Sequence, residues 1–171
     1  MGFASTDMGS PVQEHPVQIA NGVMWVYGQL ETLGNPHHYI NQEGQSSLLI
    51  KSPHIAPWTF TGLPASRADE VSVTKQHMQF LIMPGEDAME QFRAPPRMEP
   101  LIFNLPLAVI RGNAPFLSEA KFHDFLDYWK GLYLPILEAE IHYLTDGPAE
   151  LPTASAIVYV NRESIQNYIP G

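Results

Sequence analysis

The feature that most constrains this chain is that its second half repeats the apolar pattern of its first half. Residues 100–112 align with residues 16–28 without a gap, from a proline at the start to a glycine at the end. After small insertions the apolar positions coincide again, pairing Leu48, Ile50 and Ile55 with Leu134, Ile136 and Ile141, and then Val71, Val73, Gln79 and Ile82 with Val158, Val160, Gln166 and Ile169. Such agreement predicts a tandem duplication, because self-similarity at one spacing indicates a folding unit used twice.

The repeat divides the chain into segments. Residues 15–85 are predicted to be repeat one, and residues 98–171 repeat two. Residues 86–97 lie between the copies and read as a linker, which Pro95 and Pro96 stiffen. Residues 1–14 are rich in small polar residues and lack periodicity, which predicts a mobile tail.

Within each copy the pattern predicts strands and one short helix. Residues 137–143 alternate, with apolar side chains on one face and Glu138, Glu140 and His142 on the other, as in a half-buried strand. In repeat one, Asn35 and Pro36 predict a helix start. In repeat two, Ser118 is the predicted cap of a helix that Gly131 ends. The fold class is therefore mainly β with one short helix per repeat.

The end of each repeat carries a family resemblance. Residues 160–169 run from a strand through the polar turn Asn161-Arg162-Glu163-Ser164 into a second strand, and residues 73–82 are the matching copy. This stretch resembles the second signature of Sm-like proteins, in which a strand ends in a basic and polar turn and resumes with an aliphatic residue. The resemblance implies two tandem small β-barrel repeats of the Sm-like or SH3-like kind.

Composition excludes several classes of function. The chain has 171 residues, of which 18 are acidic and 9 are Lys or Arg, giving a formal charge of −9. That charge disfavours a nucleic-acid partner, because phosphate backbones are bound by basic surfaces. There is no cysteine, so disulfides and thiolate metal sites are excluded. The sequence lacks both a signal-peptide pattern and an apolar run long enough to cross a membrane, which predicts a cytoplasmic protein without a membrane partner.

One aromatic segment is the predicted partner-binding site. Residues 56–64 interrupt repeat one between its third and last strands and include Trp58, Phe60 and Leu63. Exposed Trp and other large apolar side chains are enriched where proteins bind each other. The equivalent segment of repeat two, residues 145–152, is acidic and lacks aromatic residues.

An alternative site is a divalent metal centre. Glu138, Glu140 and His142 project from one strand face, and His123, Asp124 and Asp127 on the neighbouring helix could join them as ligands. The sequence has no nucleophile elbow and no glycine-rich phosphate loop, and it implies no other cofactor.

The sequence thus favours a non-catalytic binding or assembly module whose partner is another protein or a second copy of the chain. The alternative is a metal-dependent enzyme that uses Glu138, Glu140 and His142.

Overall fold

The computed structural model describes residues 11–117, 119–148 and 150–171. Its strands are β1 (Val12–Asn21), β2 (Met24–Leu33), β3 (Ser47–Pro57), β4 (Ser66–Arg67), β5 (Glu70–Thr74), β6 (Met78–Ile82), β7 (Met98–Asn104), β8 (Ala108–Pro115), β9 (Tyr133–Tyr143), β10 (Ala154–Asn161) and β11 (Asn167–Pro170). The α-helices are α1 (Pro36–Ile40), α2 (Glu86–Glu90) and α3 (Phe125–Tyr128), and 3-10 helices span Thr59–Thr61, Lys75–His77, Phe122–Asp124 and Arg162–Ser164. The mainly-β prediction is confirmed.

All strands belong to one open antiparallel sheet. Its order is β11-β7-β8-β9-β10-β6-β1-β2-β3-β4, and β5 pairs with the other part of β3. The first half contributes the order β6-β1-β2-β3-β5, and the second half contributes β11-β7-β8-β9-β10. Because β6 pairs with β10, the two halves share a single sheet, and the finer prediction of two tandem barrels stays a prediction.

The first hairpin forms where the sequence predicts a bend. The side-chain Oδ1 of Asn21 accepts hydrogen bonds from the backbone N–H groups of Val23 and Met24, each at 2.9 Å. An Asn side chain that bonds to the backbone ahead of it stabilises a turn locally. The hairpin therefore joins β1 to β2 over Gly22 and Val23.

A glycine in each half permits a close crossing of two strands. A Cβ added at Gly28 would lie 2.6 Å from Cγ2 of Ile50, and one added at Gly112 would lie 2.6 Å from Cγ2 of Ile136. Backbone carbonyl oxygens of the facing strands lie almost as near, at 2.7 and 2.8 Å. Both positions therefore require glycine.

Opposite each of these glycines the facing strand has an irregular residue. Ser52 in β3 has φ 47° and Glu138 in β9 has φ 50°, values that L residues rarely adopt. The register of β2 with β3, and of β8 with β9, shifts at the same places. Both halves thus carry a bulge that bends the long strand.

The short helices lie where they were predicted, but the one in the second half is shorter than the predicted range from Ser118 to Gly131. Asn35 caps α1, because its Oδ1 accepts a hydrogen bond from the N–H of His37 at 2.9 Å, and Pro36 is the first helical residue. In the second half, residues 119–129 form one 3-10 turn and one α turn before the chain extends at Trp129. The predicted cap Ser118 lies outside the described residues.

Two hydrophobic cores lie on opposite faces of the sheet where the halves meet. Phe80, Ile82, Val158 and Val160 belong to the core dominated by the second half. The intervening Leu81 and Tyr159 belong to the core dominated by the first half. Alternate residues of a strand face opposite sides, so β6 and β10 are buried on both faces.

The predicted segment boundaries shift slightly. β1 begins at Val12, so residues 12–14 form part of the sheet and not part of a tail; residues 1–10 lie outside the described residues. The linker contains α2, whose Ala88 is buried in the core of the first half. In the described part of the chain, every helix is too short or too polar to cross a membrane.

Candidate functional site

The predicted partner-binding segment has a buried anchor and an exposed tip. Trp58 is 0% exposed, and its indole Nε1 donates a hydrogen bond of 2.8 Å to the carbonyl oxygen of Asn21. The expectation that Trp58 is exposed is therefore wrong, because this ring completes a core with Trp25 and Tyr143. Phe60 and Leu63 are 65% and 58% exposed, and partner binding by these two residues stays a prediction.

The proposed metal ligands share a strand face, as the alternation predicts. Glu138, Glu140 and His142 are all exposed, and Oε2 of Glu138 accepts a hydrogen bond from Nδ2 of Asn113 at 2.9 Å. His123 contacts Asp124 at 3.0 Å. Among the described residues, however, no three or more His, Asp or Glu side chains converge to hold a metal ion. The geometry therefore does not support the metal hypothesis.

The free edges of the sheet are the feature that the site prediction missed. β5 pairs only with β3, and β11 pairs only with β7, among the strands of the described residues. An edge strand presents a row of unpaired backbone N–H and C=O groups, which is a template for pairing with another strand.

The direction of these groups follows from the hydrogen bonds next to each strand. Just beyond β5 the N–H of Lys75 donates to the carbonyl oxygen of Ser46 at 2.9 Å. Alternate residues of a strand direct their backbone N–H and C=O groups to the same side. The backbone groups of Val73 therefore point toward β3, and those of Ser72 point away from the sheet edge into solvent. Just beyond β11 the N–H of Gly171 donates to the carbonyl oxygen of Pro100 at 2.9 Å. By the same alternation, the backbone N–H and C=O groups of Tyr168 point away from β7.

The outer edges differ from the inner junction in burial. At the junction, Val158, Tyr159 and Val160 pair with Ile82, Leu81 and Phe80, and all six side chains are at most 1% exposed. At the outer edges Val71 is half-buried, Ser72 is exposed, and Ile169 is 49% exposed. The counterparts of Val158, Tyr159 and Ile82 are therefore more open at the outer edges than at the junction, whereas Val73, the counterpart of Val160, is buried in both cases.

A groove runs beside β5. It has a volume of about 620 Å³ and is lined on its apolar side by Met24, Val26, Val71 and Val73. Val26 and Val73 belong to the core of the first half, and the partly buried Met24 and Val71 pack against it, so the groove lies directly over the edge of that core.

Sequence comparison could have found these edge residues. Val71 aligns with Val158 and Ile169 aligns with Ile82, each with a shift of 87 residues (158 less 71). The pairing of β6 with β10 could not be predicted from the sequence, because pairing between distant strands leaves no local pattern.

Comparisons with known proteins add no identification. Scans against protein-family models, curated proteins and solved structures found no match.

Proposed function

We propose that this protein is a non-catalytic assembly module whose copies join head to tail, with β11 of one copy pairing with β5 of the next. The observation that carries the proposal is the pairing of β6 with β10 inside the chain. β5 of the first half corresponds to β10 of the second half, and β11 of the second half corresponds to β6 of the first. β5 and β11 lie at opposite ends of the strand order, and β4 pairs with β3 beside β5.

The proposal treats the two halves as copies of one small-barrel unit. The identical strand order of the halves supports it, as do the glycine crossings at Gly28 and Gly112 and the bulges at Ser52 and Glu138. The 3-10 helices support it as well, since Lys75–His77 and Arg162–Ser164 differ by the same shift of 87 residues (162 less 75).

The internal junction supplies the register. Transferring its three pairs to the outer edges sets Val71 opposite Ile169, Ser72 opposite Tyr168, and Val73 opposite Asn167 of the neighbouring copy. In this register Ser72 and Tyr168, whose backbone groups both face outward, exchange two hydrogen bonds. Pro170 has no N–H, but it lies beyond the three pairs and leaves the ladder intact.

The groove beside β5 accommodates the incoming strand. Ile82 of β6 packs into the core of the opposite half. Its counterpart Ile169 would enter the groove between Val71 and Met24 of the next copy, and burying a side chain of this kind contributes about 1.5–3 kcal/mol at most. Because the two surfaces differ, the contact is heterologous, and it closes into a ring or continues as a filament according to the rotation per copy.

The test uses one variant at each edge. Ser72→Pro removes the outward N–H of β5 and leaves the bonds to β3 in place, and Ser72→Ala is its matched control. Ile169→Asp places a charge where the groove is apolar. Native mass spectrometry should find the wild type and Ser72→Ala as multiples of 19.1 kDa, and each of the other two variants as a monomer.

Mixing the two edge variants is the decisive step. The Ser72→Pro chain keeps an intact β11, and the Ile169→Asp chain keeps an intact β5, so an equimolar mixture should form a heterodimer and nothing larger. Circular dichroism should find both variants folded, because both positions lie at the edge of the sheet. A monomeric wild type, or variants that do not combine when mixed, would overturn the proposal.

A further inference from the structure

A cleft between the two halves contains buried polar atoms that no described residue satisfies. It has a volume of about 670 Å³, and its walls come from α1, from the linker after α2, and from the second half. His37 and Tyr159 line it, and they are 8% and 1% exposed. The ring Nδ1 of His37 and the hydroxyl of Tyr159 have no hydrogen-bond partner in residues 11–117, 119–148 and 150–171. Groups of this kind are rare in folded proteins, because a buried polar group left unpaired loses its hydrogen bonds to water without replacement.

The tautomer of His37 determines what it can bind. Its Nε2 lies 2.6 Å from the carbonyl oxygen of Ala88, an acceptor, so Nε2 carries the proton and Nδ1 presents a lone pair. Burial lowers the pKa of His37, which keeps the ring neutral at pH 7. The floor therefore offers one acceptor, on His37, and one donor, the hydroxyl of Tyr159. A ligand hydroxyl can satisfy both atoms, because it donates and accepts.

The rim of the cleft is basic, although the protein is acidic. Arg93 lines the cleft and is exposed, and it forms no ion pair with any side chain in the described ranges. None of the described residues that line the cleft is Asp or Glu. In a chain of net charge −9, an unpaired guanidinium in an acid-free cleft favours a carboxylate, which Arg binds with two parallel hydrogen bonds.

The walls are aromatic. Phe92 and Trp129 line the cleft, and the ring of Phe92 packs edge-on against His37 with centroids 5.1 Å apart. Rings in this position favour a flat ligand. Because both orphaned atoms are buried in the empty cleft, side chains that line it have to shift when a ligand hydroxyl reaches them.

We propose that this cleft binds a small aromatic carboxylate that carries a hydroxyl group, with the carboxylate on Arg93 and the hydroxyl between His37 and Tyr159. This site is separate from the sheet edges, so it does not depend on assembly.

Three probes test the proposal by calorimetry on the full chain. 4-Hydroxybenzoate carries both groups, benzoate lacks the hydroxyl, and 4-hydroxybenzamide lacks the charge. We expect 4-hydroxybenzoate to bind with a dissociation constant of about 1 mM or below, as its size allows. Each of the other two probes should bind about tenfold more weakly, since each loses one hydrogen-bonded group.

Two variants assign the contacts. Arg93→Gln should abolish the preference for 4-hydroxybenzoate over the amide, and Tyr159→Phe should abolish the preference for 4-hydroxybenzoate over benzoate. Tyr159→Phe should fold as stably as the wild type, because the hydroxyl it removes bonds to none of the described residues. Equal affinities for all three probes, no binding up to about 10 mM, or preferences that survive both substitutions would overturn the proposal.

Discussion

At the scale of single residues, the two crossing glycines offer the sharpest test of the structure. Gly112→Ala would place a methyl group 2.6 Å from Ile136 and 2.8 Å from the carbonyl oxygen of Leu137, and the backbone oxygen cannot rotate away. We expect the free energy of unfolding to fall by about 1–3 kcal/mol, the usual cost of overpacking. Gly28→Ala should behave alike, since its surroundings are the same. Urea unfolding measures both.

Gly22→Ala is the matched control for these substitutions. No atom lies within 4 Å of its added Cβ, and the glycine has no unusual φ. Its unfolding midpoint should stay near that of the wild type or rise slightly, because alanine restricts the unfolded chain. If Gly112→Ala and Gly22→Ala had equal midpoints, the close crossing of β8 and β9 would be disproved.

Single residues also mark the limit of prediction from sequence. The alignment pairs Gly28 with Gly112, but it did not reveal that both lie inside strands, at places where a facing strand approaches closely. Trp58 was expected at the surface because its segment interrupts repeat one between the third and last strands. Whether an aromatic side chain in such a segment turns inward depends on space in the core, which the sequence does not describe.

At the scale of the element, the bulge in β3 stores strain at an exposed residue. Ser52 has φ 47° and is exposed, so its side chain contributes little packing. Ser52→Gly should raise the free energy of unfolding by about 0.5–1 kcal/mol, because glycine adopts positive φ without the penalty of an L residue. The hydrogen bond from its N–H to Asp69 uses the backbone and is retained.

Ser47→Gly provides the contrast within the same strand. Ser47 pairs with Thr74 in regular β structure, where glycine is expected to destabilise by about 0.5–1 kcal/mol. Thermal unfolding should therefore move in opposite directions for the two substitutions. A lowered melting temperature for Ser52→Gly would contradict the bulge.

Elements were the most predictable level of the structure. The alternation predicted the faces of residues 139–143 correctly, and Asn35-Pro36 predicted the start of α1. The predicted face of Leu137 is wrong: it packs against the core of the first half, whereas Ala139 and Ile141 belong to the other core, because the bulge at Glu138 interrupts the alternation. The register shifts at Ser52 and Glu138 were beyond sequence reasoning, because neither Ser nor Glu indicates a positive φ.

At the scale of the whole molecule, the shared junction makes each half depend on the other. The core dominated by the second half includes Trp25, Trp58, Phe80 and Ile82 from the first. The sequence contains a sign of this, since residues 78–83 are almost all apolar, as in strands buried on both faces. These residues do not indicate which part of the chain covers the second face of β6, because its cover depends on the pairing of β6 with β10.

This dependence predicts that the halves do not fold separately. A fragment of residues 1–85 would leave Phe80, Ile82 and Trp58 uncovered, and a fragment of residues 86–171 would leave Tyr159 and Ile157 uncovered. Exposed apolar surface of that kind leads to aggregation or to association with the missing partner. Co-expressed fragments should therefore purify together, and each fragment alone should lack a cooperative thermal transition.

The intact chain should unfold in one step by circular dichroism and by tryptophan fluorescence, because both cores lose their cover when β6 leaves β10. Two separate transitions, or a stable 1–85 fragment, would mean that each half closes its own core and that the junction is only a contact between finished units.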